Sequence, residues 1–217
     1  MTPTPDGPPT ARPNAVVFDL GGVLIDWNPR YLYRQLFDGD EAAMERFLAE
    51  VTTPEWNLEQ DAGRTWDEAV EALTRQHPEH AELIAAYRDR WTETLGEAIV
   101  PTVTVLDELR QTEVRLFALS NWSAETFPVA RPRYPFLDWF EGIVISGEVG
   151  ITKPDERVYH HLLDRFGLDA ASTVFIDDSA ANVRAAREVG MIALRFEGGD
   201  ALRRALADLG LLGAPIS

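Results

Sequence analysis

Residues 173–191 read TVFIDDSAANVRAAREVGM. The stretch opens with a β-branched and aromatic run, Thr173 to Ile176, that does not alternate with polar residues, which is the pattern of a strand covered on both faces. It stops on two adjacent acids, Asp177 and Asp178, after which Ala180 to Val189 repeats apolar residues at helical spacing. A second apolar run, MIALRF from Met191 to Phe196, follows at once. Strand, helix and strand in immediate succession predict a βαβ unit, and with it an α/β protein built on a doubly wound parallel sheet.

Three more runs of the same kind lie upstream: AVVFD from Ala15 to Asp19, VRLFALS from Val114 to Ser120 and GIVIS from Gly142 to Ser146. Helical patterns at Val103 to Thr112 and Asp155 to Phe166 separate the later ones. The interval from about residue 28 to 99 differs, with helix-period segments at Glu41 to Val51, Thr65 to Gln76 and Glu79 to Leu95 and no strand pattern. It is expected to be an all-α insertion. The division that follows is a Pro-rich tail at 1–13, a sheet core at 14–27 and 100–217, and helices at 28–99. No internal repeat is present.

At 217 residues the chain suits one core with an insertion. Its 45% hydrophobic and 26% charged residues are those of an ordinary globular protein. The formal net charge of -16 opposes nucleic acid and anionic membrane surfaces, so neither is an expected partner. The same field opposes an anionic small substrate unless a local cation reverses its sign. With no cysteine, disulfides, thiolate metal sites and cysteine nucleophiles are excluded together. That usage fits a cytoplasmic protein; the N-terminal stretch has no apolar segment of signal-peptide type, and no run is long enough to span a bilayer.

Open parallel sheets bind ligands at the carboxyl ends of their strands, where the strand order reverses. The polar residues at those ends are Asp19, then Ser120 with Asn121, then Asp177 with Asp178, with Lys153 in the loop after Ser146. Asp19 precedes Leu20-Gly21-Gly22, a tight turn that would either project its carboxylate from the sheet or be capped by it. Adjacent Asp177 and Asp178 repel each other unless a cation or hydrogen bonds stabilise them; a hard divalent ion is one remedy and a helix N-cap another. Lys153 is the sole lysine beside nineteen arginines. Its compact ammonium can sit between a carboxylate and a phosphoryl oxygen, where a planar guanidinium often cannot. Ser120 and Asn121 add neutral hydrogen-bonding groups, equally at home in turn chemistry.

Taken in order, these segments resemble the haloacid dehalogenase superfamily, in its branch with a helical cap inserted after the first strand. FDLGGVL resembles the first motif, LSN the second, TKPD the third and FIDDSAANVRAAREVGM the fourth, over about Ala15 to Leu209. The resemblance implies a Rossmann-like core and a hydrolase whose Asp19 attacks phosphorus to form an aspartyl-phosphate. It implies Mg²⁺ held by Asp19, the Gly21 carbonyl and Asp178, with Asp177 in support and Asn182 orienting the acidic pair. Ser120 and Lys153 would bind the transferring group, and Gly22, Asn121 and Trp122 would border the substrate. The expected partner is a small phosphate ester, sugar phosphates being the favoured class, and the chain is expected to act as a monomer or homodimer.

One position departs from that pattern. Most phosphatases of the family carry a second Asp two residues after the nucleophile as general acid and base, and this chain has Gly21. Asp26, a water molecule or an easily lost leaving group would then have to serve. The same departure is shared with 2-haloacid dehalogenases, which use the nucleophile without metal, although those lack the paired acids retained at Asp177 and Asp178. A catalytically weak binding or regulatory module is a third reading. In the insertion, the stretch from Glu55 to Arg64 is the best candidate for substrate contact, with Trp56 expected in the insertion's own core and Trp27 placed near the hinge.

Overall fold

The computed structural model describes residues 12–213. The expected tail therefore lies outside the described residues apart from Arg12 and Pro13. Pro13 is buried, and the next amide, Asn14, donates to the Ser172 carbonyl at 2.9 Å, so ordered packing starts before the first strand.

Among the described residues there are seven strands: β1 (Ala15–Phe18), β2 (Ile25–Trp27), β3 (Leu95–Ala98), β4 (Arg115–Ser120), β5 (Gly142–Ile145), β6 (Thr173–Asp177) and β7 (Ile192–Arg195). Five make one parallel sheet in the order β5-β4-β1-β6-β7. All five were expected from their apolar runs. Successive residues of β1 point into different cores: Val16 and Phe18 into one, Ala15 and Val17 into the other. The first core is closed by helices Val100–Arg110 and Gly199–Asp208 through Leu106, Leu109, Leu202 and Leu206. The second is closed by Glu156–Phe166 and Ala180–Glu188 through Val158, Leu162, Val183 and Ala186. Burial on both faces is why these strands read as continuous apolar runs.

The chain leaves β1 for β4 and β5 on one side, then returns to β6 and β7 on the other. The order reverses at β1, and the crevice at its carboxyl end is the place this topology provides for a ligand.

Between β2 and β3 the chain is helical, with Arg30–Leu36, Glu41–Glu50, Pro54–Asp61, Trp66–Gln76 and Ala81–Asp89. Tyr33, Phe47, Trp56, Trp66 and Tyr87 pack edge to face and stacked with ring centroids 4.9 to 5.8 Å apart, so Trp56 belongs to the core of this layer, as expected. Two expectations are corrected. Glu79 to Leu95 is not one helix: it breaks at Arg90, where Trp91 buries against Trp122 and Thr94 turns its hydroxyl onto the Trp91 carbonyl at 2.7 Å. Nor is the interval strand-free, since Leu95–Ala98 pairs antiparallel with Ile25–Trp27 and brings the two ends of the helical segment together. That strand reads LGEA, with no β-branched residue, so its propensity gave no signal.

Candidate active site

The Asp19 amide donates to the Ile176 carbonyl at 2.8 Å, which continues the β1–β6 ladder one residue past β1 and fixes the start of the loop. Leu20, Val23, Leu24 and Ile25 are all fully buried, and the Gly22 amide donates to the Ile25 carbonyl at 2.9 Å, so the loop turns back sharply on its apolar residues. Gly22 has φ +74°, and a Cβ there would lie 2.7 Å from Asp178 Oδ2. Only glycine lets the Asp178 carboxylate approach this turn. Gly21 has open space where a Cβ would stand.

Lys153 lies in the loop before helix Glu156–Phe166, next to a cis peptide bond with Pro154, and is 2% exposed. Its ammonium lies 2.9 Å from Asp19 Oδ1, donates to Asp177 Oδ2 at 2.7 Å and to the Leu119 carbonyl at 2.9 Å. Burial pulls the lysine down, but the charges of Asp19 and Asp177 outweigh it and hold the group above its ordinary value. Burial pushes Asp19 up to about 7; Lys153 pulls it down and Asp177 pushes it further up. A divalent cation on the same oxygens would favour the carboxylate.

Asp177 is fully buried and its oxygens are committed to the protein. They accept from Lys153, from the Asn182 amide at 3.0 Å and from the Ser179 amide at 2.8 Å. Asp178 is exposed on the same rim, and one oxygen from each of Asp19, Asp177 and Asp178 lies within 4.8 Å of the others. These hard oxygen donors, with one ammonium against three carboxylates, fit Mg²⁺.

Asn121 lines the cavity and the alcove at Gly21 and also holds the lysine loop. Its amide donates to the Lys153 carbonyl at 2.9 Å and accepts from the Lys153 amide at 2.8 Å, clamping the lysine's main chain. Ser120 ends β4, is buried, and lines the cavity beside Lys153. Trp122 donates its indole N–H to Thr126 and forms, with Trp27, Trp91 and Gly21, an apolar alcove of about 70 Å³.

Beyond Asp19 the crevice opens into a cavity of about 840 Å³ between the sheet and the inserted helices. The helices contribute Leu48, Asn57, Leu58, Asp61 and Tyr87 to its wall. Asp26 is not among the lining residues: the Tyr31 hydroxyl donates to it at 2.5 Å and its side chain packs over Gly96, in the β2–β3 ladder. Within the expected contact stretch, Glu55, Asn57, Leu58 and Asp61 line this cavity, and of its three acids only Asp61 also borders the alcove at Gly21. Its carboxylate accepts from Asn57 at 3.1 Å, and its main-chain carbonyl accepts from the Ser146 hydroxyl at 2.5 Å, tying the helix end to the sheet domain. Burial pushes its carboxyl up to about 7; the Ser123 amide and Lys153 favour the anion, and the charge of Asp19 opposes it.

This fold, with its acidic cluster at the strand ends and a buried lysine beside it, defines a hydrolase scaffold centred on an aspartate. The family model for haloacid dehalogenase-like hydrolases matches residues 13–190, and the chain belongs to that family. It is 31% identical over 182 residues to the sesquiterpene phosphatase astK of Aspergillus oryzae, covering 84% of this chain and 89% of that protein. It is 27% identical over 205 residues to the drimenol cyclase drtB of Aspergillus calidoustus, but spans only 37% of that longer protein. Among solved structures, a HAD-like hydrolase from Porphyromonas gingivalis superposes with a TM-score of 0.71 at 27% identity, covering 92% of this chain and 98% of the other. The L-2-haloacid dehalogenase RSc1362 shares the fold, with a TM-score of 0.66 at 22% identity over 86% of this chain and 87% of that one. The chain is a hydrolase of this superfamily.

Proposed function

We propose that the chain is a Mg²⁺-dependent phosphatase that hydrolyses a small phosphate monoester through an aspartyl-phosphate on Asp19. The observation that carries this reading is the trio Asp19, Asp177 and Asp178 gathered around a single buried lysine. Such a cluster leaves uncompensated negative charge at a site meant for an anion, and a divalent cation resolves both problems. Asp19, Asp178 and the Gly21 carbonyl would hold it, with Asp177 keeping Lys153 and Asn182 in place behind them. Bound there, Mg²⁺ supplies charge stabilisation for the phosphoryl oxygens.

The residues of the chain do the remainder. Asp19 attacks phosphorus, and Lys153 with Ser120 binds the phosphoryl oxygens. The helices at 28–99 act as a cap over residues 14–27 and 100–217, with the β2–β3 ladder as the hinge, and they keep bulk water from the site. The apolar alcove of Trp27, Trp91 and Trp122, with Leu48 and Leu58 in the larger cavity, favours an ester whose alcohol carries an apolar group. The Aspergillus oryzae relative, a sesquiterpene phosphatase, points the same way. Sugar phosphates stay in the comparison as the class expected first.

The test is a panel of sugar, nucleotide and prenyl monophosphates assayed for phosphate release with Mg²⁺ and with chelator. Release that collapses with chelator and with Asp19→Asn is expected. Halide release from a 2-haloacid that survives chelator would establish the dehalogenase reading instead, and no hydrolysis of any ester would leave a binding module.

A further inference from the structure

We propose that Asp61 is the acid/base residue of this active site, acting from the inserted helices where Gly21 leaves the sheet side without a carboxylate. The inference rests on the phosphatase reading. Three observations place Asp61 in that role. First, it lines the same cavity as Asp19, Gly21, Ser120 and Lys153, and it borders the alcove that begins at Gly21. Second, it is held from two elements: the Asn57 amide donates to its carboxylate within its own helix, and the Ser146 hydroxyl at the end of β5 anchors its main chain. A general acid needs this kind of support from neighbours whose own positions are packed. Third, Asp61 is the last residue of helix Pro54–Asp61, where the negative end of the helix dipole disfavours a carboxylate and so favours the protonated form. Burial acts in the same direction and leaves the carboxyl near 7, suited to both giving and taking a proton.

As an Asp19 oxygen bonds to phosphorus, the bond from phosphorus to the alcohol oxygen breaks, and the Asp61 proton passes to that oxygen. The alcohol leaves neutral and Asp61 becomes a carboxylate. Water then attacks the phosphorus of the aspartyl-phosphate and gives its proton to Asp61, the bond to Asp19 breaks, and phosphate departs with both carboxyl groups restored. Asp26, the substitute expected from the sequence, is removed from this path by its bond to Tyr31 in the β2–β3 ladder.

The test uses the full chain with Mg²⁺ and two substrates, a primary alkyl phosphate that needs its leaving oxygen protonated and p-nitrophenyl phosphate that does not. Asp61→Asn, nearly isosteric, is expected to lower alkyl-ester turnover by about 10² to 10⁴-fold, the usual share of a general acid/base. With the aryl ester, the first turnover is expected to persist as a burst of nitrophenol stoichiometric with enzyme, and the phosphorylated chain to accumulate by intact-mass measurement, because the second step has lost its base. Gly21→Asp, which meets nothing within 4 Å at its Cβ, is expected to restore alkyl-ester turnover in the Asp61→Asn background. Unchanged alkyl-ester turnover in Asp61→Asn overturns the proposal, as does an equal loss of the first turnover on both esters. So does a large gain from Gly21→Asp in wild type, a variant that decides the matter even if Asp61→Asn folds poorly. Wild type that releases phosphate from neither ester, nor from any member of the wider panel, sinks the phosphatase reading itself.

Discussion

The Lys153 ammonium lies 2.9 Å from Asp19 Oδ1, and its side chain is 1% exposed. A third group, Asp177, receives the same ammonium at 2.7 Å with its own side chain fully buried. Three charges are therefore removed from water together, and the lysine is the one positive member. Removing one partner of a buried charge cluster leaves the others uncompensated, which costs far more than the pair itself contributes.

Lys153→Met is accordingly expected to destabilise the fold by about 3 to 5 kcal/mol, the range for breaking a buried pair. Chemical denaturation reads it directly. Lys153→Arg is expected to lose activity as well, because a planar guanidinium cannot replace a point charge reaching Asp19, Asp177 and the Leu119 carbonyl at once.

Gly22→Ala tests the turn. The new Cβ would stand 2.7 Å from Asp178 Oδ2, and the backbone at φ +74° disfavours any side chain. Asp178 has to move, so the Mg²⁺ concentration for half-maximal phosphate release is expected to rise by about 10 to 100-fold, as when metal-supporting groups are disturbed. An unchanged Mg²⁺ requirement would remove Asp178 from the metal site.

Binding of the cation has a readout that does not depend on activity. On the proposed reading, Mg²⁺ would relieve repulsion within Asp19, Asp177 and Asp178 only in the folded chain, where those oxygens lie within 4.8 Å. At a hundredfold excess over Kd, one site adds about 2.7 kcal/mol of stability. The melting temperature is expected to rise with Mg²⁺ in wild type and to respond weakly in Asp178→Asn.

The pH dependence of stability reports on Asp61. Its carboxyl moves from 3.8 to about 7 on folding, so between those values the folded chain binds more protons than the unfolded one. Stability contributed by this group is present below pH 4 and is lost as pH rises toward 7. The groups facing it are Asp19 and Lys153 from the sheet side, Tyr87 from the inserted helices, and the Asn57 and Ser123 amides. Asp61→Asn removes the ionisation, so its melting temperature relative to wild type is expected to increase steadily from pH 4 to pH 7. A difference that does not vary with pH would mean the carboxyl titrates normally.

Thr65→Ala checks the helical layer apart from the chemistry. Thr65 and Glu68 form a capping box at helix Trp66–Gln76, and loss of such a cap costs about 1 kcal/mol. Thermal unfolding measures it, with turnover on a saturating substrate expected to hold.

Read alone, the residues determined the five parallel strands, because each is buried on both faces and carries that burial as an unbroken apolar run. They also determined which polar groups end those strands, and hence Asp19 and the acidic pair, since position on a strand end follows from local pattern; Lys153 stood out as the one lysine of the chain. Other features depended on contacts between segments distant in the chain. That Asn121 clamps Lys153, that Asp26 turns away to Tyr31, and that LGEA becomes a strand by pairing with Ile25–Trp27 are decided by where other elements come to rest. Asp61 is the clearest instance. Nothing in EWNLEQDAGR distinguishes it from Glu55 or Glu59, which are exposed. Only the docking of its helix end onto Ser146 turns this one carboxyl into the cavity that holds Asp19, where it is half-buried.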